Sequence, residues 1–156
     1  MKILLALVLF STTFGSNARM PASTVYDKAG CTGSNRSPQL HWSGAPAATH
    51  SFAIVMFDPD ATGGWYHWIV YNISTAAHGL SESAPLRLSQ LGRNSFGERG
   101  YGGPCPPPGK PHRYVTTLYA LNVSRLAPSG MTGAELQKAI ARRVIARSSL
   151  TGLYGR

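Results

Sequence analysis

Three apolar runs, each stopped by turn chemistry, constrain this chain more than any other feature. His50 to Phe57 (HSFAIVMF) is a compact apolar stretch bounded by turn residues, which predicts a buried strand. Asp58-Pro59-Asp60 ends it, because proline has no N–H with which to extend a central ladder. His67 to Ile73 (HWIVYNI) predicts a second strand, rich in aromatic and β-branched residues. Arg113 to Leu121 (RYVTTLYAL) predicts a third. Residues 22–48 are rich in Gly, Ser, Asn and Pro, and 74–112 have loop chemistry almost throughout.

The tail reads differently. Thr132 followed by Glu135 is a capping-box signal, and Leu136, Ile140 and Val144 then recur at i+4 on one face. Lys138, Arg142, Arg143 and Arg147 form the opposite, solvated side of the predicted helix. The expectation is a mainly β chain with one C-terminal helix. At 156 residues and 43% hydrophobic, it has room for one core and one domain, and general disorder is excluded.

Fifteen Lys and Arg against six Asp and Glu leave a formal charge of +9. That surplus attracts anions such as phosphate, acidic lipid or nucleic acid, and says nothing of fold. No RNA-recognition, zinc-finger or helix-turn-helix pattern accompanies the charge, so nucleic acid is not an expected partner. Two cysteines cannot form a structural zinc site alone. No metal and no cofactor are expected.

The N-terminus has the three parts of an export signal. Met1-Lys2 is a basic start, Ile3 to Phe10 an unbroken apolar run, and Ser16-Asn17-Ala18 a small-x-small cleavage site. The expectation is a leader over 1–18, a single domain over 19–156, and a periplasmic or secreted protein. A first buried strand is the alternative. The run is too short for a stable bilayer span, so membrane insertion is not expected. Outside the cytosol Cys31 and Cys105 could join as a disulfide; two free thiols are the alternative.

The chemistry-bearing residues lie where strands begin and stop. Asp58 and Asp60 are two of only six acidic residues, and Pro59 fixes the backbone between them. His67 opens the next predicted strand across a Gly-Gly turn, where a hairpin would set it beside the carboxylates; His112 precedes the third strand in the same way. A carboxylate beside an imidazole favours the charged ring. Such a pair offers a negative edge and a donor edge together, suited to a small zwitterion or a phosphate. Gly97 to Gly109 (GERGYGGPCPPPG) holds five glycines and four prolines in thirteen residues. Its spacing fits neither a dinucleotide nor a P-loop fingerprint, and its chemistry predicts a rigid pocket rim.

Asp58-Pro59-Asp60-Ala61 with His67-Trp68, then Gly100 to Pro107 and His112-Arg113-Tyr114, resemble the two signature regions of the phosphatidylethanolamine-binding protein family. The match is to its bacterial, Raf kinase inhibitor-like branch. Gly30-Cys31 through Ser37-Pro38-Gln39-Leu40-His41-Trp42 is similar to that branch's N-terminal pattern. The resemblance implies packed antiparallel β-sheets with a small anion pocket for phosphate or a phosphoethanolamine-type head group. Asp58, His67, Cys105, Pro106, Pro107, His112 and Tyr114 would line it, and Tyr154 would be the C-terminal tyrosine that closes it. It further implies a non-enzymatic binding protein, or alternatively an inhibitor or adaptor that docks a partner such as a kinase or protease. Phe10 to Pro21 also resembles the family's first strand, which cleavage after Ala18 would largely delete.

Overall fold

In the computed structural model, which describes residues 5–156, the run at 50–57 becomes the strand with the deepest burial. This strand (Ser51–Asp58, numbered β3 below) is buried at every position but Phe57. The eight elements in chain order are β1 (Val8–Phe10), β2 (Leu40–Ser43), β3, β4 (Trp65–Ile73), β5 (Gly79–Leu80), β6 (His112–Leu121), α1 (Gly133–Ile140) and β7 (Val144–Tyr154). They form a three-stranded sheet, β1-β2-β5, and a four-stranded sheet, β4-β3-β6-β7, with every pairing antiparallel.

The larger sheet is covered on both faces, which is why β3 reads as continuous apolar sequence. Phe52, Ile54 and Met56 face a core shared with Leu9, Leu40 and Trp42 of the small sheet. Ala53 and Val55 face a second core with Leu136 and Ile140 of α1. The period-2 alternation of a strand sends successive side chains to these two layers.

One expectation is corrected. The capping box is present, with Thr132 Oγ1 accepting from Glu135 N–H (3.3 Å) and Glu135 Oε2 from Thr132 N–H (2.8 Å). The helix stops at Ile140, however, and Val144 and Arg147 belong to β7, a strand that the i+4 spacing disguised as helix. Its β-branched and hydroxyl residues suit a strand, and it pairs along β6 from His112↔Tyr154 to Leu121↔Val144. Arg147 lies over the Tyr119 ring (5.5 Å).

A further finding concerns the chain start. Residues on both sides of the expected cleavage point belong to the fold. Leu7, Leu9 and Phe14 are buried, and β1 pairs with β2. Asn17 N–H donates to Thr151 O (2.7 Å), Leu153 N–H to Ala18 O (2.9 Å) and Met20 N–H to Leu153 O (2.8 Å). Residues 7–18 thus pack and bond with the rest of the chain. Met1 to Leu4, the rest of the expected leader, lie outside the described residues. Among the described residues no helix is long and apolar enough to cross a membrane.

Candidate functional site

The site forms where β3 ends and β6 begins. Asp58, buried at the last position of β3, accepts at Oδ1 from the backbone N–H groups of Asp60 (2.8 Å) and Ala61 (3.1 Å). This is the local bond an aspartate makes to stop a strand and start a turn. Its other oxygen, Oδ2, takes the Nδ1 proton of His112 at 2.7 Å. With Nδ1 held there, Nε2 is the ring nitrogen left for other partners. Asp60 turns outward instead, bonded by Arg113 through its backbone N–H (2.8 Å), Nη2 (2.8 Å) and Nε (3.1 Å). Those bonds hold its carboxyl down at about 2.

His67 does not pair with the carboxylate as the hairpin argument expected. The register changes from Met56↔Trp68 to Phe57↔Tyr66, so β4 carries one extra residue there, and that residue is His67. A bulge of this kind re-aims a side chain. His67 Nδ1 bonds the carbonyl of Gly102 (2.6 Å), and the ring packs edge-on to Tyr114 (5.1 Å) and Phe96 (5.7 Å). Burial pushes its pKa below the usual histidine value, against a weaker upward pull from the Gly102 bond and the Asp58 charge. His67 is a neutral, buried ring, and the carboxylate's partner is His112.

The glycine- and proline-rich stretch is a held rim. Gly102 N–H donates to His67 O (2.9 Å), and Asn35 Oδ1 accepts from Gly103 N–H (2.8 Å). A Cβ on Gly103 would overlap the carbonyl oxygen of Thr24, so only glycine lets the two backbones approach. Asn94, buried, accepts at Oδ1 from Phe96 and Glu98 and donates to Gly100 O (3.0 Å). Cys105 is joined to Cys31 with a Cα–Cα distance of 6.0 Å, and Arg156 Nε donates to Pro106 O (2.6 Å).

These parts enclose a cavity of about 250 Å³ lined by Asp58, Ala61, Trp65, His67, Phe96, Cys105, Pro106, Pro107, His112 and Tyr114. Seven of the eight expected site residues are thus brought together. Tyr154 is not among them. It sits opposite His112 in the strand register, under the Arg19 guanidinium (4.9 Å), and lines a neighbouring hollow with Cys31 and Arg156. Sequence reasoning missed Trp65 and Phe96 as walls. The signal for Trp65 was its place two residues before His67; Phe96 stands alone in a polar loop, stacked on Tyr26 (4.1 Å). Two lining residues carry buried donors with no hydrogen-bond partner in the protein, Tyr114 Oη and Trp65 Nε1. Burial, with the Asp58 charge second, also raises the Tyr114 pKa far above its ordinary value, so the phenol keeps its proton.

This fold and this pair of signature loops define a class. The chain belongs to the phosphatidylethanolamine-binding protein family, whose sequence pattern it matches over residues 10–155. It is 38% identical to the UPF0098 protein YbcL of Escherichia coli over 155 residues, covering 92% of this chain and 85% of that protein. It is 34% identical to the UPF0098 protein YbhB of the same organism, covering 94% and 98%. The crystal structure of E. coli YbcL, described as a member of the mammalian PEBP family, superposes with a TM-score of 0.91 at 34% identity. The overlap covers 96% of this chain and 98% of that one.

Proposed function

We propose that this chain is a non-enzymatic binding protein whose cavity takes phosphate or a phosphoethanolamine-type head group. The observation that carries the reading is the meeting of two unlike edges in one small hollow. The lining holds His112, fixed through Nδ1 by Asp58, so that its Nε2 is left for a phosphate oxygen. The same lining holds the Asp58 carboxylate and the Trp65 and Phe96 rings, which suit an ammonium group. At about 250 Å³ the cavity is below the usual range for drug-sized ligands and matches a head group.

The non-catalytic reading rests on what each polar group already does. Asp58 has both oxygens engaged, in its turn and with His112. Among the described residues, the one sulfur at the cavity, that of Cys105, is bonded to Cys31, and no serine or threonine lines the wall. A periplasmic or secreted location is part of the proposal, supported by that disulfide, since such bonds persist in oxidising compartments.

The test is a calorimetric titration of the purified protein with phosphoethanolamine, repeated on His112→Ala. Saturable heat that the substitution abolishes supports the reading. No heat from the wild type, together with no competition by phosphate, overturns it.

A further inference from the structure

The cavity lies at one end of the four-stranded sheet; the opposite end carries a different feature. There β3 and β7 start while β4 and β6 end, so Ser51, Ile73, Leu121 and Val144 lie together. Asn72 sits at this end in a left-handed conformation (φ 56°), at the second register shift of β4. A non-glycine residue is uncommon there and persists where its surroundings over-determine it. The surroundings of Asn72 do so. Its Nδ2 donates to Ser89 O (3.1 Å) and Leu126 O (3.0 Å), its Oδ1 accepts from Leu126 N–H (2.7 Å), and its carbonyl accepts from Gln90 Nε2 (3.4 Å).

One residue therefore fixes the segment around Ser89 against the segment around Leu126, and each segment contributes an arginine to the same groove. With Asn72, the groove is lined by Arg87, Arg125, Ser74, Ser89, Ser124 and Gln90, and its volume is about 470 Å³. No carboxylate lines it. Among the described residues the ion pairs join Asp58 to His112, Asp60 to Arg113, Glu98 to Lys28 and Glu82 to Arg36, and none involves Arg87 or Arg125. Five residues of β4 separate Asn72 from His67, roughly 16 Å of strand.

We infer that this groove is a second anion site, separate from the head-group cavity, and that it takes the phosphate of a soluble phosphomonoester. Guanidinium pairs bind phosphate oxygens with planar, paired donors, and three serine hydroxyls add neutral ones. The described lining residues are all polar types and the surface they present is mainly polar, which favours a water-soluble ligand. The volume exceeds that of an inorganic phosphate and leaves room for an organic remainder.

The test follows backbone amide signals of the labelled full chain while glycerol 3-phosphate, inorganic phosphate, or chloride at matched ionic strength is added. Saturable shifts at Ser89, Gln90, Ser124 and Arg125 with both phosphates are expected, tighter with the ester and absent with chloride. The double variant Arg87→Gln/Arg125→Gln, both exposed positions, should weaken them at least tenfold. It should leave the unfolding midpoint and any shifts at Gly102 and His112 as they were. Shifts confined to residues 100–114 would overturn this inference while leaving the head-group reading intact. Shifts at the groove that persist in the double variant would also overturn it. Equal affinity for ester and inorganic phosphate would overturn the ester assignment.

Discussion

His112 donates its Nδ1 proton to Asp58 Oδ2 at 2.7 Å, and the opposite oxygen of the same carboxylate closes the turn that stops β3. One buried side chain thus sets both the end of a strand and the orientation of a ring at the cavity. Asp58→Ala removes both, and should weaken phosphoethanolamine binding at least tenfold while lowering the unfolding midpoint, since hydrogen bonds to charged groups are worth about 1.5–3 kcal/mol. Asp58→Asn keeps an oxygen for the turn and loses the charge, so it should spare most of the stability and still lose binding. Calorimetry on the two variants separates the roles; unchanged affinity in both would detach Asp58 from the site.

His67 makes the opposite prediction about charge. Burial holds its folded pKa below the unfolded value of about 6.5. Between those two values the unfolded chain takes up a proton that the native ring refuses. This group's contribution is therefore full above about 6.5 and declines as the pH falls through that window. Urea midpoints at pH 7.5 and 5.5 should show the drop in wild type and a smaller one in His67→Gln. A ring signal titrating at or above 6.5 would sink the idea.

What the sequence made legible follows from how local each signal was. The three central strands announced themselves because β3 and β4 bury nearly continuous apolar runs and β6 is rich in aromatic and β-branched residues. The edge strand β7 did not: its burial alternates along Val144–Ser149, and Leu136, Ile140 and Val144 happen to fit helical spacing. At the site, the residue set was readable from the signature loops, while the pairing within it was not. A one-residue bulge at His67 moves that ring to Gly102 and gives Asp58 to His112, and no spacing rule reports a bulge. Likeness of position near the chain end points to Tyr154, whose strand register sets it opposite His112 and in the lining of the neighbouring hollow.

The Cys31–Cys105 bond spans 74 residues of sequence, so in the chain-entropy view it contributes roughly 4 kcal/mol by restricting the unfolded state. It also ties Cys105, beside Pro106 and Pro107 in the cavity lining, to the buried Cys31. Cys31→Ser/Cys105→Ser should lower the denaturant midpoint and weaken head-group binding together. Intact-mass analysis of unreduced protein after alkylation should find no labelled thiol. Two labelled cysteines, or an unchanged midpoint, would remove the bond from the account of stability and rim alike.

The N-terminal segment gives the last prediction, because two readings of the same residues differ in what survives cleavage. Removing residues 1–18 would take away the β1–β2 pairing, the buried Leu7, Leu9 and Phe14, and the Asn17 N–H bond to Thr151 on the last strand. Truncating one buried leucine to alanine typically costs about 2–5 kcal/mol, and a domain's whole stability is about 5–15 kcal/mol. The 19–156 fragment should therefore lose cooperative thermal unfolding or melt far below the full chain, and bind phosphoethanolamine weakly or not at all. Calorimetric melting of the two forms, with intact mass of the protein recovered from cells to fix its true start, decides the matter. A fragment that melts with the full chain would make β1 an ornament of the small sheet, and would support residues 1–18 as a leader.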